Sequence, residues 1–128
     1  MKVYAHRGLH GGQEHLENSK KAVEDALTSS ADGLEVDLQY LADGRLLLHH
    51  DENLDPEYFD VTRPVPLSTL TLEEVREYSE VDLLTFSEVL DLDWHGKTFV
   101  FECKASRNRL SFARSLERFL SGHANPGN

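Results

Sequence analysis

Cysteine is almost missing from this chain. Cys103 stands alone, which excludes an intrachain disulfide and any cysteine-rich zinc site. Positive charge is also short, with 13 Lys and Arg against 23 Asp and Glu and a formal net charge of -10. That balance disfavours nucleic acid or an anionic membrane surface as a partner, since both call for a local basic patch. Lys20-Lys21 and the arginines between Arg107 and Arg118 read as charges on helix faces rather than as such a patch. Long apolar runs are lacking too. No stretch approaches membrane-spanning length, and the apolar run in MKVYAHRG is too short for the core of a signal peptide. A reducing, cytoplasmic setting is the resulting expectation. Prolines are few, and three of the four fall between Asp51 and Pro66, which marks that segment as a long loop.

What is present fits one domain over residues 1–128. With 39% hydrophobic and 28% charged residues, the chain has a globular balance and enough length for one modest core. Lys2 to His6 reads as a short strand, and the Gly/His/Gln-rich run from Gly8 to Leu16 as a loop. Asn18 or Ser19 caps a helix reaching about Thr28, with Ala22, Val23, Ala26 and Leu27 as its apolar stripe. Ala31-Asp32-Gly33 stops that helix, and Leu34 to Leu38 forms the next strand. Asp43-Gly44 signals a turn before a strand from Leu46 to His49. Two capping boxes, Thr71-x-x-Glu74 and Thr85-x-x-Glu88, open helices, the second of them ended by Gly96. Thr98 to Cys103 reads as a strand, and Leu110, Ala113, Leu116 and Leu120 mark one face of a last helix. Strands alternating with helices imply an α/β fold with a mostly parallel sheet.

Titratable groups then stand out. Side chains alternate along a strand, so Glu35 and Asp37 share a face, as do Glu102 and Lys104. Each pair lies toward the C-terminal end of its strand, where α/β folds build their sites. Converging carboxylates without cysteines suit a hard divalent ion, Mg²⁺ or Ca²⁺. Two like charges set between Leu34, Val36 and Leu38 are costly to bury unless a cation holds them. From Leu38 to Leu46 there is too little chain for a parallel crossover, which needs about a dozen residues. A hairpin centred on Asp43-Gly44 would place Asp37 opposite His50. His49 and His50 face opposite sides, so at most one of them meets the site. His6 is followed by Arg7, a side chain suited to gripping phosphate, and histidine exchanges protons near neutral pH. His10, His15, His95 and His123 read as ordinary loop residues.

The ordered set AHRG, LENS, LEVDL, ADGRLLLHHDENL, LTLEEV, LTFSEVL and FECK resembles the first half of the glycerophosphodiester phosphodiesterases, over residue 3 to about residue 105. The resemblance implies a TIM-type (β/α)₈ barrel, present here in about half, and divalent-metal-dependent hydrolysis of small glycerophosphodiesters to glycerol 3-phosphate and an alcohol. It implies His6 and His50 as the catalytic pair, and Glu35, Asp37 and Glu102 as the metal ligands. Arg7 and Lys104 would grip phosphate, with Glu17 and Asn18 beside the substrate. The family mechanism uses the substrate's own glycerol hydroxyl as nucleophile, through a cyclic phosphate. Leu16 and Ser19 depart mildly from the family's pattern around Glu-Asn, and Asp55 stands where an arginine is common.

A full barrel takes roughly 250 residues, and this sequence stops after the fourth site-bearing strand and its helix. An open half-barrel would leave unpaired strand edges and an uncovered apolar face. Pairing of two halves as a homodimer is one resolution. The other function class in view is a truncated, catalytically weak domain that binds metal or phosphate or serves in assembly. A related phospholipase of the sphingomyelinase D type ranks last.

Overall fold

In the computed structural model of the chain, which describes residues 1–103, the strand carrying Glu35 and Asp37 is the centre of the sheet. The chain runs through β1 (Tyr4–His6), α1 (Lys20–Leu27), β2 (Gly33–Tyr40), β3 (Leu46–Leu48), β4 (Asn53–Leu54), β5 (Val65–Pro66), α2 (Leu72–Tyr78), α3 (Phe86–Leu90) and β6 (Thr98–Cys103). β6 lies parallel to β2, from Gly33↔Thr98 to Leu38↔Cys103. The other edge of β2 is shared. β1 runs parallel along its first half, and β3 runs antiparallel along its last.

Alternation along β2 sorts its side chains onto two faces. Leu34, Val36 and Leu38 are fully or almost fully buried. They pack with Val23, Ala26 and Leu27 of α1 and with Phe86, Val89 and Leu90 of α3. Each such side chain contributes about 1.5–3 kcal/mol when removed from water. Phe99 and Phe101 of β6 join this layer beside Trp94, whose indole Nε1 donates to the Val89 carbonyl. A second cluster, including Leu47, Leu54, Leu67, Val75 and Leu83, lies beneath the segment between β3 and α3.

Among the described residues, the elements expected from sequence are present, with three differences. The second capping-box helix ends at Leu90 with Asp91 as its cap, six residues before Gly96, and Leu92 and Trp94 reach the core from the non-helical segment that follows. The proline-bearing segment is not wholly irregular, since its ends meet as the β4–β5 ladder. The hairpin register is the third. Leu41 N–H donates to the Arg45 carbonyl, Gly44 N–H donates to Leu41, and Gly44 has a φ of +83°. This is a three-residue connection ended by a left-handed residue, for which glycine has no steric penalty. It pairs Leu38 with Leu48 and lets His49 N–H donate to the Asp37 carbonyl. His49, not His50, therefore sits across from Asp37; the expected pairing was one residue out.

Both capping boxes form as the sequence implies. The Glu88 carboxylate also receives a 2.7 Å bond from Arg76, tying α2 to α3. Burial pushes the Glu88 carboxyl up, but its bonds from Thr85 and the Arg76 charge outweigh that and hold it below the usual range. Thr85→Ala removes the cap and one arm of this junction. It is expected to cost about 1 kcal/mol, near the central value for a lost N-cap. Urea unfolding of the variant beside Thr71→Ala, which lacks the Arg76 link, measures the difference.

Candidate functional site

The face of the sheet opposite the helices carries the titratable groups. The register makes His6 a partner of Glu35, and Asp37 a partner of Glu102. His6, Glu35, Asp37 and Glu102 line one cleft of about 240 Å³ together with Val100 and Phe101. The two strand carboxylates differ sharply in burial. Glu35 is exposed, whereas Asp37 is only 2% exposed.

The loops around β1 and α1 are shaped to meet Asp37. Arg7 and Asn18 both have left-handed backbones, with φ of 59° and 61°, a conformation few non-glycine residues adopt. Asn18 N–H donates to the Arg7 carbonyl at 2.9 Å. Asn18 Nδ2 donates to Asp37 Oδ2, and Asp37 N–H donates to Asn18 Oδ1, both at 3.1 Å. Arg7 Nε lies 3.2 Å from Asp37 Oδ2, within ion-pair range but not aligned as a hydrogen bond. Its Nη1 donates to Glu17 Oε2 at 2.9 Å, and His10 Nε2 stands 4.0 Å from the other Glu17 oxygen. Gly8 follows Arg7 with φ +83°, and a Cβ there would stand 2.6 Å from the Ala22 carbonyl oxygen of α1. Glycine is what lets the loop turn this close to the helix.

Arg7, Glu17, Asn18, His49 and His50 line a second cleft of about 260 Å³, walled on its far side by Glu14, Asp51, Asp55, Tyr58 and Phe59. Tyr58 donates to Glu14 at 3.0 Å, which raises its hydroxyl pKa. His50 Nδ1 is 3.4 Å from Asp51 Oδ1, and the His50 carbonyl accepts from Gln39. The His49 ring lies against Phe59, with its Nδ1 2.9 Å from the Asp51 carbonyl. Burial depresses the His49 pKa, and the Asp51 carbonyl and carboxylate only partly counter this.

The expected site residues thus fall into two groups. His6, Glu35, Asp37 and Glu102 share one cleft, while Arg7, Glu17, Asn18 and His50 share the other, with the Arg7–Asp37 ion pair between them. Lys104 lies outside the described residues, as does the last expected helix. Glu35, Asp37 and Glu102 fit a hard divalent cation by donor chemistry and by register. Among the described residues, no three His, Cys, Asp or Glu side chains already converge on a common point. Sequence reasoning set His10 aside as a loop residue and missed Tyr58 and Glu14. Glu14 and Tyr58 are 44 positions apart, and no local pattern signals such a pairing.

Known proteins now bear on this arrangement. Residues 6–114 match the model of the glycerophosphoryl diester phosphodiesterase family. The chain belongs to that family. A glycerophosphodiester phosphodiesterase of Bacillus altitudinis is 50% identical over 54 residues, covering 42% of this chain and 21% of that protein. A mouse lysophospholipase D is 38% identical over 87 residues, covering 68% of this chain and 25% of that one. A solved glycerophosphodiester phosphodiesterase from Thermotoga maritima superposes with a TM-score of 0.77 at 25% identity, over 96% of this chain and 50% of its own. A phosphodiesterase from Oleispira antarctica, solved with sn-glycerol-3-phosphate, gives 0.78 at 21% identity, over 96% of this chain and 53% of its own. These family structures are TIM barrels, and this chain folds as about half of one. It spans about half the length of those structures and less of the curated relatives. No helix among the described residues is long and apolar enough to cross a membrane.

The histidine shift has a defined sign. With the folded His49 pKa below its ordinary 6.5, the unfolded chain takes up a proton that the folded chain refuses. Stability is full above about pH 6.5 and falls as the pH drops below it toward the folded pKa. Urea midpoints of the wild type and His49→Gln between pH 7.5 and 5 test this, and the variant is expected to have the shallower loss.

Proposed function

We propose that this chain is a metal-dependent phosphodiesterase that hydrolyses small glycerophosphodiesters to glycerol 3-phosphate and an alcohol. The observation supporting this most is the register that sets His6, Glu35, Asp37 and Glu102 on one face of neighbouring parallel strands. Glu35, Asp37 and Glu102 would hold Mg²⁺ or Ca²⁺. A cation there supplies charge neutralisation for the phosphoryl oxygens. His6 and His50 act as the acid–base pair: one takes the proton of the glycerol hydroxyl as it attacks phosphorus, the other protonates the departing alcohol, and water, deprotonated in turn, then opens the resulting cyclic phosphate to glycerol 3-phosphate. Arg7, held on Glu17, presents its guanidinium to the phosphate, with Asn18 lining the same cleft; Lys104 is proposed as a second phosphate-gripping cation on the family resemblance alone. A cytoplasmic enzyme acting on water-soluble substrates fits this reading.

Among the described residues, β6 pairs with β2 alone, so its outer edge is open. An open edge of this kind supports pairing of two copies. The second reading is a catalytically weak domain that binds metal or phosphate, favoured by the engagement of the Asp37 carboxylate by Arg7 and Asn18 within the chain.

Hydrolysis of glycerophosphocholine and glycerophosphoethanolamine by the 128-residue chain, with and without chelator, separates the two readings. Chelator-sensitive turnover is expected, and His6→Ala or His50→Ala should lower kcat by about 10²- to 10⁴-fold. Turnover unchanged in either variant removes the assignment. A folded chain with no turnover leaves the binding domain, and its mass in solution reports the pairing.

A further inference from the structure

Resting on the phosphodiesterase reading, we propose that Asn18 is a positioning residue that locks Asp37 and Arg7 in place, rather than a contact for substrate. Asn18 has no solvent exposure. Its side-chain oxygen accepts from the Asp37 backbone and its amide nitrogen donates to the Asp37 carboxylate. The same residue's backbone N–H fixes the Arg7 carbonyl. One side chain therefore sets the position of the Asp37 backbone and the rotation of its carboxylate, and the adjoining peptide sets the loop that carries Arg7.

The left-handed backbone of Asn18 is enforced from both sides. Ser19, directly after it, caps α1 by accepting from Ala22 N–H, and Ser19 N–H bonds to the Leu16 carbonyl. Lys20 N–H bonds to Asp82, fixing this corner to the segment before α3. A non-glycine residue with positive φ persists only where its surroundings over-determine it. Asparagine tolerates that conformation better than most residues, and its amide offers both a donor and an acceptor. An aspartate there would lack the donor and set a second carboxylate against Asp37. A glycine would keep the backbone and lose both bonds.

Partners that orient a ligand typically change metal affinity by about 10- to 100-fold when removed. Asn18→Gly is expected to weaken binding of Mg²⁺ or Ca²⁺ by about that factor, read by titration calorimetry on the chelator-treated chain and so without turnover. It should also lower kcat while changing KM for glycerophosphocholine less than about twofold, the pattern of a group that does not bind substrate. Asn18→Gly keeps the left-handed backbone and is the variant expected to fold; Asn18→Asp, nearly isosteric but with a second carboxylate against Asp37, should also lower kcat at unchanged KM, its folding checked by thermal melting. A raised KM with unchanged ion affinity makes Asn18 a substrate contact and overturns the inference. Lost thermal stability with ion affinity and kcat intact makes it merely structural, which also overturns it. Either result leaves the phosphodiesterase reading standing. A wild-type chain that neither binds the ions nor turns over defeats that reading first and this inference with it.

Discussion

A carboxylate removed from water must be paired, and the structure around β1, β2 and the start of α1 follows from pairing Asp37. Leaving such a group buried without partners costs several kcal/mol. Two consequences are visible in the backbone, where Arg7 and Asn18 both take left-handed conformations that bring their side chains to one oxygen of Asp37. Gly8 then allows the chain to turn against α1, and Glu17 holds the far end of the guanidinium. The two neighbouring clefts are the two sides of this cluster. The site is thus built from loop strain that a buried charge stabilises, on a sheet whose opposite face supplies the stability.

That opposite face also takes up the apolar side chains of the central strand. An open half-barrel was expected to leave an apolar face uncovered. The apolar side chains of β2 instead all point toward α1 and α3, while the inner face carries His6, Glu35, Asp37 and Glu102. Val100 is the exposed large hydrophobic residue among them, at 42%. In a closed barrel that surface lines a polar pocket, so exposing it forfeits little hydrophobic stabilisation. The edge of β6 that no described strand pairs is the greater liability, because such an edge is a template for another strand.

How much was legible in the sequence depended on distance along the chain. The two capping boxes, the apolar stripe of α1 and the start of β6 rest on spacings of two to four residues, and they appear where expected. The shared face of Glu35 and Asp37 follows from the same short period. The hairpin register did not, since a two-residue and a three-residue turn around Asp43-Gly44 differ only in how Gly44 is used, and one residue's difference exchanges His50 for His49 opposite Asp37. The Glu14–Tyr58 contact and the β4–β5 ladder join segments whose proximity only the tertiary fold creates. Family membership was legible before any geometry, through the order of the motifs rather than through any one of them.

The two like charges of β2 are accommodated in a way that the local sequence reveals only in part. Glu35 and Asp37, set between leucines and valine, implied two buried carboxylates that only a cation could hold together. The fold divides that cost unequally. Glu35 stays in water at the mouth of the cleft, where repulsion is screened, and Asp37 alone goes under, beside Arg7. A guanidinium thus supplies, within the chain, part of the neutralisation that the sequence assigned wholly to a metal ion. Since Arg7 and a divalent cation would both draw on the Asp37 carboxylate, on the proposed reading the affinity of this face for a metal would depend on how firmly Glu17 and Asn18 hold their partners. Residues that position Asp37 and Arg7 would then be part of what sets the site's charge.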